Sequence, residues 1–293
     1  MSIASTATPR TRTTGSRVRR SLAVSAGVAD VRREPDSASE QVTQALLGVS
    51  ALALEGPVNG WMRVRLPDYE GWIHGDQLAA PPRRSERVAV IIAPRASLYA
   101  SSRGSDSVGD VYASSALPIT AGQREQTGRV RVALPGGRAA WLASDAVEIH
   151  RTTDPFPKRG AQAAVDFAKR LIDTPYLWGG VTEVGIDCSG LSQLACRLAG
   201  GIIPRDADQQ YESIPWIVDR ASVRLGDLLY FAEGGSVTHV GIALDNMTLL
   251  HASSSGERVM INSLDPTQDE HGGRLAGMYA GARRVFPEQG SDE

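Results

Sequence analysis

The sequence predicts a multi-domain chain in which two small all-β barrels precede one α+β domain. Three observations carry that reading. A strand–turn–Trp pattern occurs twice before residue 150, a polar Pro-containing stretch follows at 151–160, and the periodicity then changes from alternating to helical. A length of 293 residues accommodates two or three compact units. The expected boundaries are a disordered basic tail over 1–20, barrels over 21–80 and 84–150, and the α+β domain over 155–287.

The tail carries Arg10, Arg12, Arg17, Arg19 and Arg20 and no acidic residue. Arg19-Arg20 and the following Ser21 to Ala29 have the outline of an export signal. However, Ser and Gly interrupt the apolar run, which continues straight into Asp30-Val31-Arg32-Arg33. The expectation is a solvated basic tail feeding a first strand.

In the first barrel, Trp61 to Leu66 alternates apolar and polar residues as a half-buried strand does. Pro67 to Gly71 reads as a turn, and Trp72-Ile73 resumes the strand. The second copy runs through Arg129 to Leu134, Pro135-Gly136-Gly137 and Trp141-Leu142. Both close alike, with Asp76 between Trp72 and Leu78 and Asp145 between Trp141 and Val147. Trp72 and Trp141 are expected in the cores, because one buried indole supplies much of what so small a unit can bury.

After the linker, Ala164, Val165, Ala168 and Leu171 have helical spacing, and Asp173-Thr174-Pro175 stops that helix. Strand-like runs follow at 226–231, 237–244 and 249–253. A helix followed by consecutive antiparallel strands indicates an α+β domain.

Composition excludes some function classes. Hydrophobic residues make up 42% and charged residues 22%, as in an ordinary globular protein. A net charge of -2 provides no basic footprint, so no nucleic-acid partner is expected. No run approaches the roughly 18 consecutive apolar residues of a membrane span. Cys188 and Cys196 are the only cysteines. On one predicted helix their spacing separates them by about 12 Å, beyond disulfide reach, so both are expected to be reduced thiols. With no CxxC pair, no zinc or other metal site is expected.

The most informative segment runs from Thr174 to Leu191. A Gly-rich loop enters Asp187-Cys188-Ser189-Gly190, and Leu191 to Leu198 is helical in pattern, with Gly200-Gly201 as its stop. This sets Cys188 at a helix N-terminus, where unpaired N–H groups and the dipole favour a thiolate. Asp187 is a natural N-cap. A nucleophilic thiol needs a base, and the base needs a group to hold it. His239 and His251 each lie six residues from Asp245, in the turn between two strand runs. A hairpin centred there sets the two rings directly opposite each other, with Cβ atoms about 4.5–5.5 Å apart. His239 can then meet the thiol while His251 fixes its tautomer. Cys196, His74, His150 and His271 have no such setting and read as structural.

These segments resemble a known family. Tyr176-Leu177-Trp178-Gly179-Gly180, Asp187-Cys188-Ser189-Gly190-Leu191, Pro204-Arg205-Asp206, Gly226-Asp227-Leu228, Thr238-His239-Val240-Gly241-Ile242 and His251-Ala252 occur in the order seen in NlpC-type cell-wall peptidases. The two N-terminal units are similar to bacterial SH3-like domains. The resemblance implies a papain-like cysteine peptidase fold, with Cys188 as nucleophile, His239 as base and His251 as the orienting residue. It implies a wall for substrate built from Tyr176, Trp178, Asp187, Ser189, Arg205 and Asp206, with Tyr69 contributed by the first SH3-like unit. Two such units before the peptidase are similar to the γ-D-glutamyl-L-diamino acid endopeptidases. In these the substrate is a murein peptide with a free N-terminal L-alanine, whose ammonium pairs with the Asp of the Pro-Arg-Asp motif, here Asp206. Members often have Ser after that Asp, and Ala207 removes one possible substrate hydrogen bond. The implied oxyanion donors are the Cys188 backbone N–H and, as a candidate, the Tyr176 hydroxyl.

No cofactor is implied, the partner is a murein-derived peptide, and the oligomeric state is left open. The expected location is cytoplasmic, in cell-wall recycling. The alternatives are an exported hydrolase that uses its SH3-like units as anchors on intact murein, a catalytically dead wall-binding protein, and a lipid acyltransferase. The dead form would lack the Cys or His, and the acyltransferase would carry an apolar docking segment.

Overall fold

The computed structural model describes residues 20–120, 128–268 and 272–287. The basic tail before Arg20 and His271 lie outside the described residues. Strands β1 (Arg20–Val24), β2 (Val28–Arg32), β3 (Gln41–Leu46), β4 (Ser50–Val58), β5 (Trp61–Arg65), β6 (Glu70–His74) and β7 (Leu78–Ala79) form one sheet in the order β3-β2-β6-β5-β4-β1-β7. The apolar members of the alternating strands close its core around Val24, Val31, Val64 and Ile73.

A second strand unit follows. Strands β8 (Arg87–Ile91), β9 (Arg95–Tyr99), β10 (Ser107–Tyr112), β11 (Ala116–Pro118), β12 (Arg129–Ala133), β13 (Ala139–Ala143) and β14 (Val147–Arg151) form sheets ordered β10-β9-β13-β12 and β11-β8-β14. Both units carry a 3-10 turn at the position of the repeated Asp, Gly75–Gln77 and Ser144–Ala146, just before their last strand. Trp72 is buried, but Trp141 is only half-buried, lying opposite Tyr99. The core there is aliphatic, built on Leu98, Leu117, Val132 and Leu142, so the expectation of a core Trp141 is corrected.

The third domain packs helices against a six-stranded antiparallel sheet. Helix α1 (Ala161–Lys169) ends before Asp173, whose φ of 68° breaks the helical path. The hairpin β15 (Val181–Thr182) and β16 (Gly185–Ile186) leads into α2 (Cys188–Leu198), and α3 (Ala207–Ser213) follows. Strands β17 (Ile217–Val218), β18 (Leu228–Glu233), β19 (Ser236–Ala243), β20 (Thr248–Ser253), β21 (Arg258–Ser263) and β22 (Tyr279–Arg283), with α4 (Gly273–Met278) before β22, complete the domain. The sheet order is β17-β22-β18-β19-β20-β21. Leu228 and Tyr230 pack with α1 and α2, whereas Leu229 and Phe231 join a second cluster with Leu249 and Leu264. Both faces of β18 are covered, which is why that strand reads as a continuous apolar run rather than alternating. Among the described residues, no helix is long and apolar enough to cross a membrane.

Candidate active site

Asp187 caps α2 by accepting from the Gly190 N–H at 2.7 Å, and Cys188 is the first helical residue. Gly190 is required by contact, because a Cβ there would meet the Gly180 carbonyl oxygen at 2.4 Å. The thiol sits in a closed setting, 7% exposed, and accepts from the backbone N–H groups of Val240 and Ser189. Val240 is the neighbour of His239, so helix start and strand meet where the sequence placed nucleophile and base.

The histidine geometry differs in register from the expectation. Leu250 pairs with Ile242 and Leu249 with Ala243, so the turn is centred on Asn246 rather than Asp245. The Asp245 carboxylate accepts from the N–H groups of Met247 and Thr248, a side-chain turn that sets Asp245 at the start of the loop rather than at its centre. His251 therefore lies beside Gly241, and His239 is its diagonal neighbour two residues along β19. The rings still meet, at 2.7 Å between His239 Nε2 and His251 Nδ1, nearly perpendicular to each other. Gly241 makes the approach possible: a Cβ there would lie 2.5 Å from Leu249 Cδ1 and 3.2 Å from His251 Cβ.

One residue of this array has no counterpart in the sequence reading. Asn262 on β21 places Oδ1 2.8 Å from His251 Nε2. A carbonyl oxygen only accepts, so His251 Nε2 donates and its Nδ1 is the acceptor. The His239 Nε2–H must then donate to it, leaving His239 Nδ1 as the lone-pair nitrogen available to a thiol. Asn262→Ala is expected to lower kcat by about 10²-fold with KM little changed, as loss of a tautomer-fixing group does. Asn262→Asp should move the acid limb of the pH–rate profile upward, since a carboxylate favours protonated imidazole. Steady-state kinetics from pH 4 to 8 check both.

Burial dominates the protonation of the resting site. It pushes the Cys188 thiol up to about 12, with the Asp187 carboxylate acting in the same direction. It pulls His239 down to about 3, helped by His251. His251 is lowered by burial against the opposing effect of Asn262. Removal from water thus opposes the helix start at the thiol, and both shifts favour the neutral forms, thiol and imidazole. Tyr176 is raised by burial and then by Cys188, so its hydroxyl stays protonated and able to donate.

Three residues assigned to substrate contact are internal instead. Arg205, 2% exposed, donates from Nη1 to Asp187 Oδ1 (3.0 Å) and Ser189 Oγ (2.8 Å). Its Nη2 reaches Asp187 Oδ2 (2.7 Å) and the Gly180 carbonyl (3.4 Å), and Nε donates to Thr43 Oγ1 (2.8 Å). Asp187 also accepts from the Gly179 N–H. Asp187, Ser189 and Arg205 are therefore a buried pillar under the cysteine loop, with their polar atoms engaged by protein. Tyr176 and Trp178 do line the cavity that contains both histidines.

The first strand unit closes the other end of the site. The Tyr69 hydroxyl donates to Asp206 Oδ2 at 3.3 Å. The Asp206 carboxyl is raised by burial, opposed by Arg205 and by that hydrogen bond. Trp178 Nε1 donates to Glu40, and Gln41 donates to the Trp178 carbonyl. Cys196 is buried within α2. His74 pairs with Asp76 and His150 with Glu148, both in the strand units.

Comparison with known proteins agrees with this architecture. Residues 173–271 match the NlpC/P60 family, and residues 31–78 match the bacterial dipeptidyl-peptidase SH3 domain. The chain is 31% identical to dipeptidyl-peptidase 6 of Lysinibacillus sphaericus, over 83% of this chain and 91% of that protein. It is 28% identical to the γ-D-glutamyl-L-lysine dipeptidyl-peptidase of Bacillus cereus, over 86% and 77%. The crystal structure of an NlpC/P60 family protein from Bacillus cereus superposes with a TM-score of 0.79 at 24% identity, covering 92% of this chain and all of that one. At that identity the superposition speaks to the fold.

Proposed function

The chain belongs to the NlpC/P60 family and is a cysteine peptidase, and from that premise we propose that it cleaves the γ-D-glutamyl bond to a diamino acid in murein peptides with a free N-terminal L-alanine. The observation that carries this reading is the Tyr69–Asp206 corner. A half-buried carboxylate faces a tyrosine from a different domain, beside the cysteine loop. A partly desolvated carboxylate is suited to an ammonium, which would otherwise lose its hydration unpaired. The names of the relatives, which describe dipeptidyl-peptidases and a γ-D-glutamyl-L-lysine substrate, support the same reading. Such peptides are products of earlier wall cleavage, so the proposed role is turnover of released fragments.

In this mechanism the substrate carbonyl arrives over Cys188, whose proton passes to His239 Nδ1 as sulfur attacks the γ-carbonyl carbon. The tetrahedral oxyanion is held by the Cys188 backbone N–H and the Tyr176 hydroxyl. Imidazolium then gives its proton to the leaving nitrogen of the diamino acid, and the C–N bond breaks to leave a thioester. Water, deprotonated by His239, attacks the thioester, and the thiol regains its proton as the acid departs.

The test compares L-Ala-γ-D-Glu-diamino acid peptide with its N-acetylated form. Cleavage of the free amine and loss of roughly 10²-fold or more on capping are expected, the cost of leaving a desolvated carboxylate without its cation. Equal cleavage of both would sink the free-amine reading. Asp206→Asn should raise KM for the free peptide and remove most of the discrimination. In the wild type, KM should rise as pH falls through the raised Asp206 pKa, because the protonated acid no longer attracts an ammonium.

A further inference from the structure

The cavity that holds both histidine rings has a volume of about 530 Å³ and runs from Tyr176 and Trp178 past His239 and His251 to Glu233 and Arg274. Neither Tyr69 nor Asp206 lines it. Building on the function proposed above, the Tyr69–Asp206 corner takes the N-terminal side of the peptide. The cavity reached across His239 must then receive the diamino acid, because the group that protonates the leaving nitrogen has to touch it. Among the described residues lining this space, Glu233 and Arg274 are the only Asp, Glu, Lys or Arg. Arg274 Nη2 donates to Glu233 Oε1 at 2.6 Å, and both side chains are well exposed. Met260, Leu275 and Met278 supply apolar wall to the same cavity.

We propose that Glu233 and Arg274 form a subsite for the leaving residue that selects a diamino acid whose distal end carries both an ammonium and a carboxylate. The Arg274 guanidinium takes the carboxylate in a charge-assisted, two-point contact, and Glu233 takes the ammonium. The methylenes between the two ends of the ligand lie on the apolar wall. An exposed ion pair of this kind contributes little to stability and opens readily to a ligand. A ligand bearing both charges replaces each partner for the other, so neither protein charge is left alone when the cleft fills. Lysine ends in an ammonium only. It can satisfy Glu233, but it removes that carboxylate from Arg274 and offers nothing in return.

The experiment measures kcat/KM of the full chain on L-Ala-γ-D-Glu-meso-diaminopimelate and on L-Ala-γ-D-Glu-L-Lys. The wild type should favour the first by roughly ten- to hundredfold, the range of one charge-assisted contact. Arg274→Gln should bring the two within about threefold of each other by slowing the diaminopimelate peptide while the lysine peptide, with no guanidinium left to strand, is unchanged or faster. Glu233→Gln should slow both. Equal rates in the wild type, a preference for lysine, or a preference that survives Arg274→Gln would overturn the subsite. Cleavage of neither peptide defeats the proposed function itself, an outcome separate from the other three.

Discussion

Cys188→Ala is expected to lower kcat/KM on the free-amine tripeptide by at least about 10⁴-fold while leaving the folded protein intact. Without sulfur there is no thioester, and His239 has no bound nucleophile to deprotonate. What remains is binding and the oxyanion donors, which by themselves provide only a small part of the acceleration. The thiol makes few demands on the fold. It is held by two backbone N–H groups, and removing one sulfur from the first turn of α2 leaves the Asp187 cap in place. A thermal melt within a few degrees of wild type, alongside the lost activity, separates chemistry from folding. Activity retained in Cys188→Ala would refute the assignment of the nucleophile.

Arg205→Met is expected to have the largest effect on stability, a loss of roughly 3–5 kcal/mol. The substitution keeps an unbranched apolar stem but strips Asp187 of its countercharge in a place where water cannot replace it. Thr43, Ser189 and Gly180 lose a donor at the same time. Arg205→Lys should recover little, because an ammonium cannot reproduce the planar fork that engages both carboxylate oxygens. A double change of Asp187→Leu with Arg205→Met should be less damaging than the single one. Replacing both charges removes the uncompensated anion, although the N-cap of α2 is then lost as well. Urea unfolding followed by Trp fluorescence measures these differences. A single variant within about 1 kcal/mol of wild type would show that the pillar is not a source of stability.

Legibility in the sequence followed the range over which each feature is encoded. The start of α2, its Asp cap and the stop at Gly200 are local, and Asp187-Cys188-Ser189-Gly190 displays them within a few residues. The pairing of His239 with His251 depends on one hairpin, so it was readable. Its register is not, because the Asp245 side chain bonds forward to Met247 and Thr248 and places the centre of the turn one residue further on. Asn262 is not legible, because its role needs β21 laid beside β20, and no spacing pattern marks one asparagine on such a strand. Asp187, Ser189 and Arg205 sit close in sequence to the residues that meet substrate. Proximity does not reveal burial, and their burial is completed by Thr43 from the first strand unit. Trp141 is a related case: the repeat fixes its place on a strand, not which neighbours cover it.

The contacts between the first strand unit and the third domain reach further than the geometry of one site. Besides Thr43 on Arg205 and Tyr69 on Asp206, Gln44 accepts from the Val181 N–H, and Asp68 accepts from Gln193. Small β modules usually travel between proteins as interchangeable attachments, joined by a tether and free to be lost. This one is bonded to a buried guanidinium that lies directly beneath the cysteine loop. Exchanging it for a module that lacks a hydroxyl at the Thr43 position would remove a hydrogen bond from the interior of the peptidase. In recombination and in protein engineering alike, residues 20–79 and the peptidase are therefore a single heritable part.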